Sequence, residues 1–200
     1  MEGTWLRAER QTSGKGRQGR AWQSQSGNLH ASTLVRLRPE DPPAPTLALV
    51  AAVALHEVVR GQAANARIKW PNDLLVDGAK LAGILLERKG DAVIIGFGVN
   101  LAHHPQDLDR PATSLNPPVA PGPFLDRLAE VFGTWLARWR AEGLAPVRAA
   151  WLAAAHPLGT PLVTHDGGGT FDGLDESGAL RLRSAGGAVR VIHAGDVFLL

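Results

Sequence analysis

Between Gly14 and Arg20 the chain reads Gly-Lys-Gly-Arg-Gln-Gly-Arg, three cationic side chains among three glycines, after a polar lead-in of Gln11-Thr12-Ser13. Glycine lets a backbone take positive φ angles and come close to a ligand. Lys15, Arg17 and Arg20 add fixed charge, and the arginines add a fork that matches phosphate oxygens. The pattern suits a loop that wraps an anion, although alone it suits a solvated turn or a nucleic-acid contact equally well. A second candidate is Lys69-Trp70-Pro71-Asn72-Asp73, followed by Lys80-Leu81-Ala82-Gly83-Ile84-Leu85. Read alone, Pro-Asn-Asp is a turn. With lysines on both sides, Asn72 and Asp73 offer oxygen ligands to a hard cation such as magnesium, which is bound through carboxylates and substrate phosphates. Lys80 would then face the same phosphate. A third block, Gly96-Phe97-Gly98-Val99-Asn100, brings two glycines where a planar or phosphate-bearing ligand could approach the backbone, and closes with an amide side chain.

These blocks need elements to hold them. Thr4 to Glu9 reads as a strand, and Leu29, Ala31, Thr33, Val35 and Leu37 alternate with their neighbours as a half-buried strand does. The basic loop therefore joins two strands. Thr46 to Gln62 is apolar on nearly every face, which predicts a buried helix packed on a sheet, with Gly61 as its C-cap. Short strands follow at Ala66 to Trp70, Leu74 to Val76, Lys80 to Glu87 and Ala92 to Leu101, with a turn at Asp77-Gly78. Tight turns between adjacent strands imply a largely antiparallel sheet and argue against a nucleotide-binding βαβ fold.

A proline-rich stretch from Pro111 to Pro123 leads into an amphipathic helix carrying Phe124, Leu128, Val131, Phe132, Trp135, Leu136 and Trp139 at helical spacing. That face is core. A second helix, Ala145 to Ala155, ends before Pro157. Beyond it, Thr160 to His165, Thr170 to Leu174, Ala179 to Arg183, Ala188 to Ile192 and Asp196 to Leu200 are short runs separated by glycine turns, which predict a small β-barrel.

Composition narrows the class. The 200 residues are 44% apolar and carry a net charge of +2, so a real core forms and nothing demands nucleic acid as a partner. With no cysteine, disulfides, thiolate nucleophiles and Cys-ligated zinc are excluded, and a cytoplasmic protein is the expectation. The run Leu47 to Leu55 is far shorter than the roughly 20 residues a bilayer span needs. The seven histidines are scattered without metal-ligand spacing and read as surface or core residues.

In this order, the blocks resemble the biotin protein ligase family. Its hallmark is a Gly-Arg-Gly-Arg-x-Gly-Arg-type loop, then Lys-Trp-Pro-Asn-Asp, then Lys-Leu-x-Gly-Ile-Leu, then Gly-x-Gly-x-Asn. The resemblance runs from about Thr4 to the C-terminus, where Gly178-Ala179-Leu180 and Ala194-Gly195-Asp196-Val197 look like that family's terminal module. It implies an α+β fold: a catalytic domain over 1–156, related to class II aminoacyl-tRNA synthetases and lipoate ligases, with a mixed, largely antiparallel sheet, and an SH3-like barrel over 157–200. It also implies a two-step reaction. Biotin and MgATP give biotinyl-5′-adenylate and pyrophosphate, and the acyl group then passes to a lysine of a biotin carboxyl carrier protein.

By resemblance, Lys80, Lys69 and Arg17 are the catalytic charges at the acyl phosphate. Gln11, Gly14, Lys15, Gly16, Arg17, Arg20, Trp22, Lys80, Gly83, Gly98 and Asn100 would bind biotin and adenylate, with Trp22 offering a face to adenine or else packing in the core. Asn72 and Asp73 would hold magnesium, and Asn100 would reach ATP. ATP, biotin and Mg²⁺ are the implied cofactors. No DNA-binding and no membrane role is expected, and a homodimer is compatible, since the family often pairs through its sheet. Two features depart from the pattern. Lys15 stands where arginine is common, which keeps the charge but loses the fork. Only ten residues precede Gln11 and none forms the family's Ser-Thr-Asn motif, so a clipped start or a damaged biotin site is expected. The alternatives are a lipoate-type ligase of the same superfamily and a non-catalytic carrier-binding module.

Overall fold

Leu29, Ala31, Thr33 and Val35 form the buried face of strand β2 (Leu29–Arg36), as their alternation predicts. This computed structural model describes residues 2–106, 110–165 and 167–199; Leu200, with which the last expected strand ends, lies outside them. Strand β2 pairs on one side with β1 (Trp5–Ala8) and on the other with β6 (Ala92–Val99). Strands β3 (Ala66–Lys69), β4 (Asp73–Val76) and β5 (Ala79–Lys89) complete a six-stranded sheet in the order β1-β2-β6-β5-β4-β3. Every strand pair in it is antiparallel, and the parallel contacts are isolated bridges, Ile68 with Ala155 and Lys80 with Ala112. The turn between β4 and β5 puts Asp77 and Gly78 at positive φ, as a tight hairpin requires.

One sheet face carries Val93, Ile95, Phe97 and Val99 of β6 and is covered by helices, all four residues being buried. Helix α1 (Leu47–Val59) is buried along most of its length, as its all-round apolar sequence predicts. Its end differs from the sequence expectation. Arg60 terminates it in helical conformation, and Gln62 and Ala63 both donate to the Val59 carbonyl (2.8 and 2.9 Å). The last carbonyls are thereby satisfied without a left-handed residue, and Gly61 has no positive φ. Helix α2 (Pro121–Glu142) starts inside the proline stretch rather than after it, because a first-turn proline sacrifices only an N–H that has no helical partner. Its stripe of Phe124, Leu128, Val131, Phe132 and Trp139 is buried, and the Trp139 indole donates to Thr46 Oγ1 at the entrance to α1 (2.9 Å).

Helix α3 (Leu144–Ala154) leads to a second sheet of β7 (Pro161–Thr164), β8 (Gly167–Leu174), β9 (Leu180–Arg183), β10 (Val189–Ile192) and β11 (Val197–Leu199), in the order β10-β9-β8-β7-β11. Trp70 Nε1 donates to the Gly178 carbonyl (3.2 Å) and Arg148 Nε to the Asp175 carbonyl (2.7 Å), so both the first sheet and α3 are tied to this module. Among the described residues, no helix is long and apolar enough to cross a membrane.

Candidate functional site

The helix-free face of the first sheet carries the site. On β5 and β6, Gly83 and Gly98 are direct partners, so two adjacent positions lack a side chain and leave a notch. The Trp22 indole lies over it. A Cβ at Gly98 would fall 2.5 Å from Trp22 Cε2, and one at Gly83 would fall 3.3 Å from Trp22 Cζ3 and 3.2 Å from Lys80 Nζ. The Trp22 ring is half-buried and lies outside the core cluster, and its buried Nε1 has no hydrogen-bond partner among the described residues. A buried donor left unpaired typically costs about 1–3 kcal/mol. Lys80 Nζ lies 5.7 Å from the ring centroid, within cation–π range.

Lys80 is fixed from both sides. Its N–H donates to the Pro111 carbonyl (2.9 Å), and its own carbonyl accepts from Thr113 N–H (2.9 Å). The ammonium group pairs with Asp73 Oδ1 at 2.7 Å, while Lys69 Nζ reaches Asp73 Oδ2 at 3.2 Å. Strand pairing makes this convergence possible, because Lys69 opposes Asp73 across β3 and β4, and Asp73 opposes Gly83 across β4 and β5. Burial works against charge on Asp73, but Lys80 first and Lys69 second outweigh it and hold the carboxyl below its ordinary range.

The basic loop closes on itself. Lys15 and Ala21 form a bridge, Trp22 N–H donates to the Gly14 carbonyl (3.0 Å) and Gly16 N–H to the Arg20 carbonyl (2.7 Å). Gly14 is glycine for a local reason: a Cβ there would sit 2.6 Å from the Trp22 carbonyl and 2.9 Å from Gln11 Oε1. Arg17 links this loop to the turn after β3, donating from Nη1 to Asn72 Oδ1 (3.2 Å). Its Nη2 donates to the Gly195 carbonyl (3.1 Å), and Arg20 Nη2 pairs with Asp196 Oδ2 at 2.6 Å.

The structure thus gathers Arg17, Trp22, Lys69, Asn72, Asp73, Lys80, Gly83 and Gly98. Gln11 and Lys15 stand at the exposed rim, and Lys15 has no ion pair among the described residues. The geometry bears on two of the expected roles. Asn100 donates from Nδ2 to the carbonyls of Thr113 (3.0 Å) and Lys80 (3.4 Å), so it holds the Lys80 backbone and leaves at most its oxygen for a nucleotide. Asn72 and Asp73 do not fit a resident magnesium ion. Both Asp73 oxygens face ammonium groups, and Asn72 is spent on Arg17 and on the Ile84 carbonyl (2.6 Å). No cluster of three or more His, Cys, Asp or Glu exists among the described residues.

Sequence reasoning missed two positioning residues. Asp196 answers the charge of both loop arginines from the C-terminal module, with Arg17 Nη1 at 3.6 Å. Asn28, buried at the start of β2, accepts from Ala102 N–H and His103 N–H (3.0 Å each) and donates to the His103 carbonyl (2.8 Å), clamping the loop's exit to the chain after β6.

Residues 2–100 match the biotin/lipoate A/B protein ligase family, and residues 168–200 match the biotin protein ligase C terminal domain. A biotin--[acetyl-CoA-carboxylase] ligase of Paracoccus denitrificans is 44% identical over 97% of this chain and 89% of its own length. A bifunctional ligase/repressor of Bacillus subtilis is 36% identical over 99% of this chain and 66% of its own length. The fold superposes with a TM-score of 0.89 on a biotin protein ligase from Aquifex aeolicus solved with biotin and ATP, at 25% identity, covering 100% of this chain and 90% of that one.

Proposed function

Since the chain belongs to the biotin protein ligase family, we propose that it forms biotinyl-5′-adenylate from biotin and ATP and transfers biotin to a lysine of the biotin carboxyl carrier protein of acetyl-CoA carboxylase. The observation that carries the assignment to this site is Lys80. Its backbone is pinned by Pro111 and Thr113, and its ammonium group stands beside Asp73 at the edge of the Gly83–Gly98 notch. Residues 1–156 are read as the catalytic unit and 157–200 as a module that closes it.

In the first step a biotin carboxylate oxygen attacks the α-phosphorus of ATP, the bond to pyrophosphate breaks, and pyrophosphate leaves with its electron pair. Lys80, Lys69 and Arg17 place positive charge where negative charge develops on the phosphoryl oxygens, at no reorganisation cost because Asp73 and Asn72 already orient them. On this reading the planar ureido ring of biotin enters the notch, which the Trp22 ring vacates by swinging aside, and the released indole then stacks on adenine. Magnesium would be held by the phosphates of the nucleotide and would offset their charge. In the second step the carrier lysine amine attacks the acyl carbon, AMP leaves, and the amine proton passes to solvent. Incubating the chain with biotin, MgATP and the carrier domain of a bacterial acetyl-CoA carboxylase tests the reading: mass spectrometry should find one biotinyl group on one carrier lysine. A carrier unchanged in mass would contradict it.

A further inference from the structure

A groove of about 630 Å³ opens where α3 meets the second sheet. Arg67, Arg148, His156 and Arg181 line it, and Asp172 is the acidic side chain among its lining residues. Asp172 is already committed twice, to Arg181 (2.8 Å) and to Arg183 (2.7 Å). Arg148 donates to neutral carbonyls, at 2.7 Å to Asp175 O, and has no ion pair among the described residues. Arg67 is exposed, donates to the Ala66 carbonyl (3.0 Å), and has no ion pair among the described residues. Burial, then Arg67 and Lys69, lowers the pKa of His156, whose buried Nε2 has no hydrogen-bond partner. Leu158 stands in the same lining, 70% exposed. The groove therefore offers excess positive charge beside a strongly exposed apolar side chain, Leu158.

Its position bears on the acceptor. Arg67 and Lys69 lie two residues apart on edge strand β3, so they share a face at a spacing of about 7 Å. Lys69 in turn meets Asp73, the partner of Lys80. Arg67 and Lys69 thus lead from the groove to Asp73 and Lys80, with the Asp73 carboxylate shared by the two lysines. An incoming carrier lysine is itself cationic, and acidic side chains around it would offset the repulsion it meets there.

On the functional reading above, we propose that this groove docks the acceptor protein, taking a cluster of its carboxylates and a neighbouring apolar side chain while its lysine reaches the adenylate. The test uses the full chain, its R67E and R67Q variants and L158S, with the carrier domain of a bacterial acetyl-CoA carboxylase as probe. Pyrophosphate exchange reads adenylate formation and does not involve the carrier, whereas transfer does. The expected result is exchange within about twofold of the parent for all variants. KM for the carrier should rise about tenfold in R67E, less in R67Q and L158S, and should depend less steeply on salt in R67E than in the parent. An unchanged carrier KM in R67E and in L158S, with exchange intact, would overturn the docking assignment. Loss of exchange in the parent chain would instead remove the functional reading, and the docking inference with it.

Discussion

The Arg20 guanidinium and the Asp196 carboxylate lie 2.6 Å apart although they are 176 positions apart in the chain, so the terminal module grips the basic loop directly. Arg20 is about half exposed, with a side-chain exposure of 48%, and a pair of this kind contributes roughly 0.2–1 kcal/mol. Removing it should loosen the loop without unfolding the chain. In D196A, amide exchange across residues 14–22 should accelerate about two- to fivefold, with little change in thermal midpoint. Equal exchange in parent and variant would show that the pair does not restrain the loop.

Lys80 sits where the account places developing charge. K80Q should lower biotin-dependent pyrophosphate exchange about a hundredfold, the usual size of a lost preorganised donor. Stability should fall much less, because Lys69 still faces Asp73. Near-normal exchange in K80Q would remove Lys80 from the chemistry.

Much of this site was legible in the sequence because its parts are short and local. Lys69, Asn72 and Asp73 share one turn, and Lys80 follows a two-residue hairpin that Asp77-Gly78 announces. Strand alternation at 29–35 and the helical stripe on α2 were readable for the same reason. The role of Asp196 was not: Ala194-Gly195-Asp196-Val197 marks the terminal module, but nothing near it in sequence signals that two distant arginines need its charge. Asn28 likewise looks like a turn residue until the chain around His103 folds against it. The capping of α1 was misjudged because glycine marks chain reversals in general, while here the hydrogen bonds of Gln62 and Ala63 end the helix.

The Gly98 notch predicts a coupled pair. G98A must displace the Trp22 ring, which a Cβ would meet at 2.5 Å, and should destabilise the chain by about 1–3 kcal/mol, the usual cost of overpacking. Adding W22A should recover most of that loss relative to W22A alone. Denaturant titration of the four-member cycle measures the coupling, and strict additivity would contradict the packing described here.

Acid should weaken the fold in two stages. The pKa values of His30, His56 and His156 are lowered, chiefly by burial. The unfolded chain therefore binds more protons below about pH 6.5, and stability present above that pH declines as it falls through the folded values. Asp73, also lowered, contributes stability above its unfolded pKa near 4 that is lost at still lower pH. Thermal midpoints should drop from pH 7 to 5 and more steeply below 4, and H56Q should flatten the first limb while D73N flattens the second. A midpoint constant between pH 7 and 5 would refute the histidine assignment.

The central claim is that this face of the sheet activates biotin with ATP, and ATP–pyrophosphate exchange measures that step alone. Run on the purified chain with biotin, with lipoate and with neither, the account predicts exchange with biotin and background rates in the other two. Exchange driven by lipoate, or none with either acid, would contradict it.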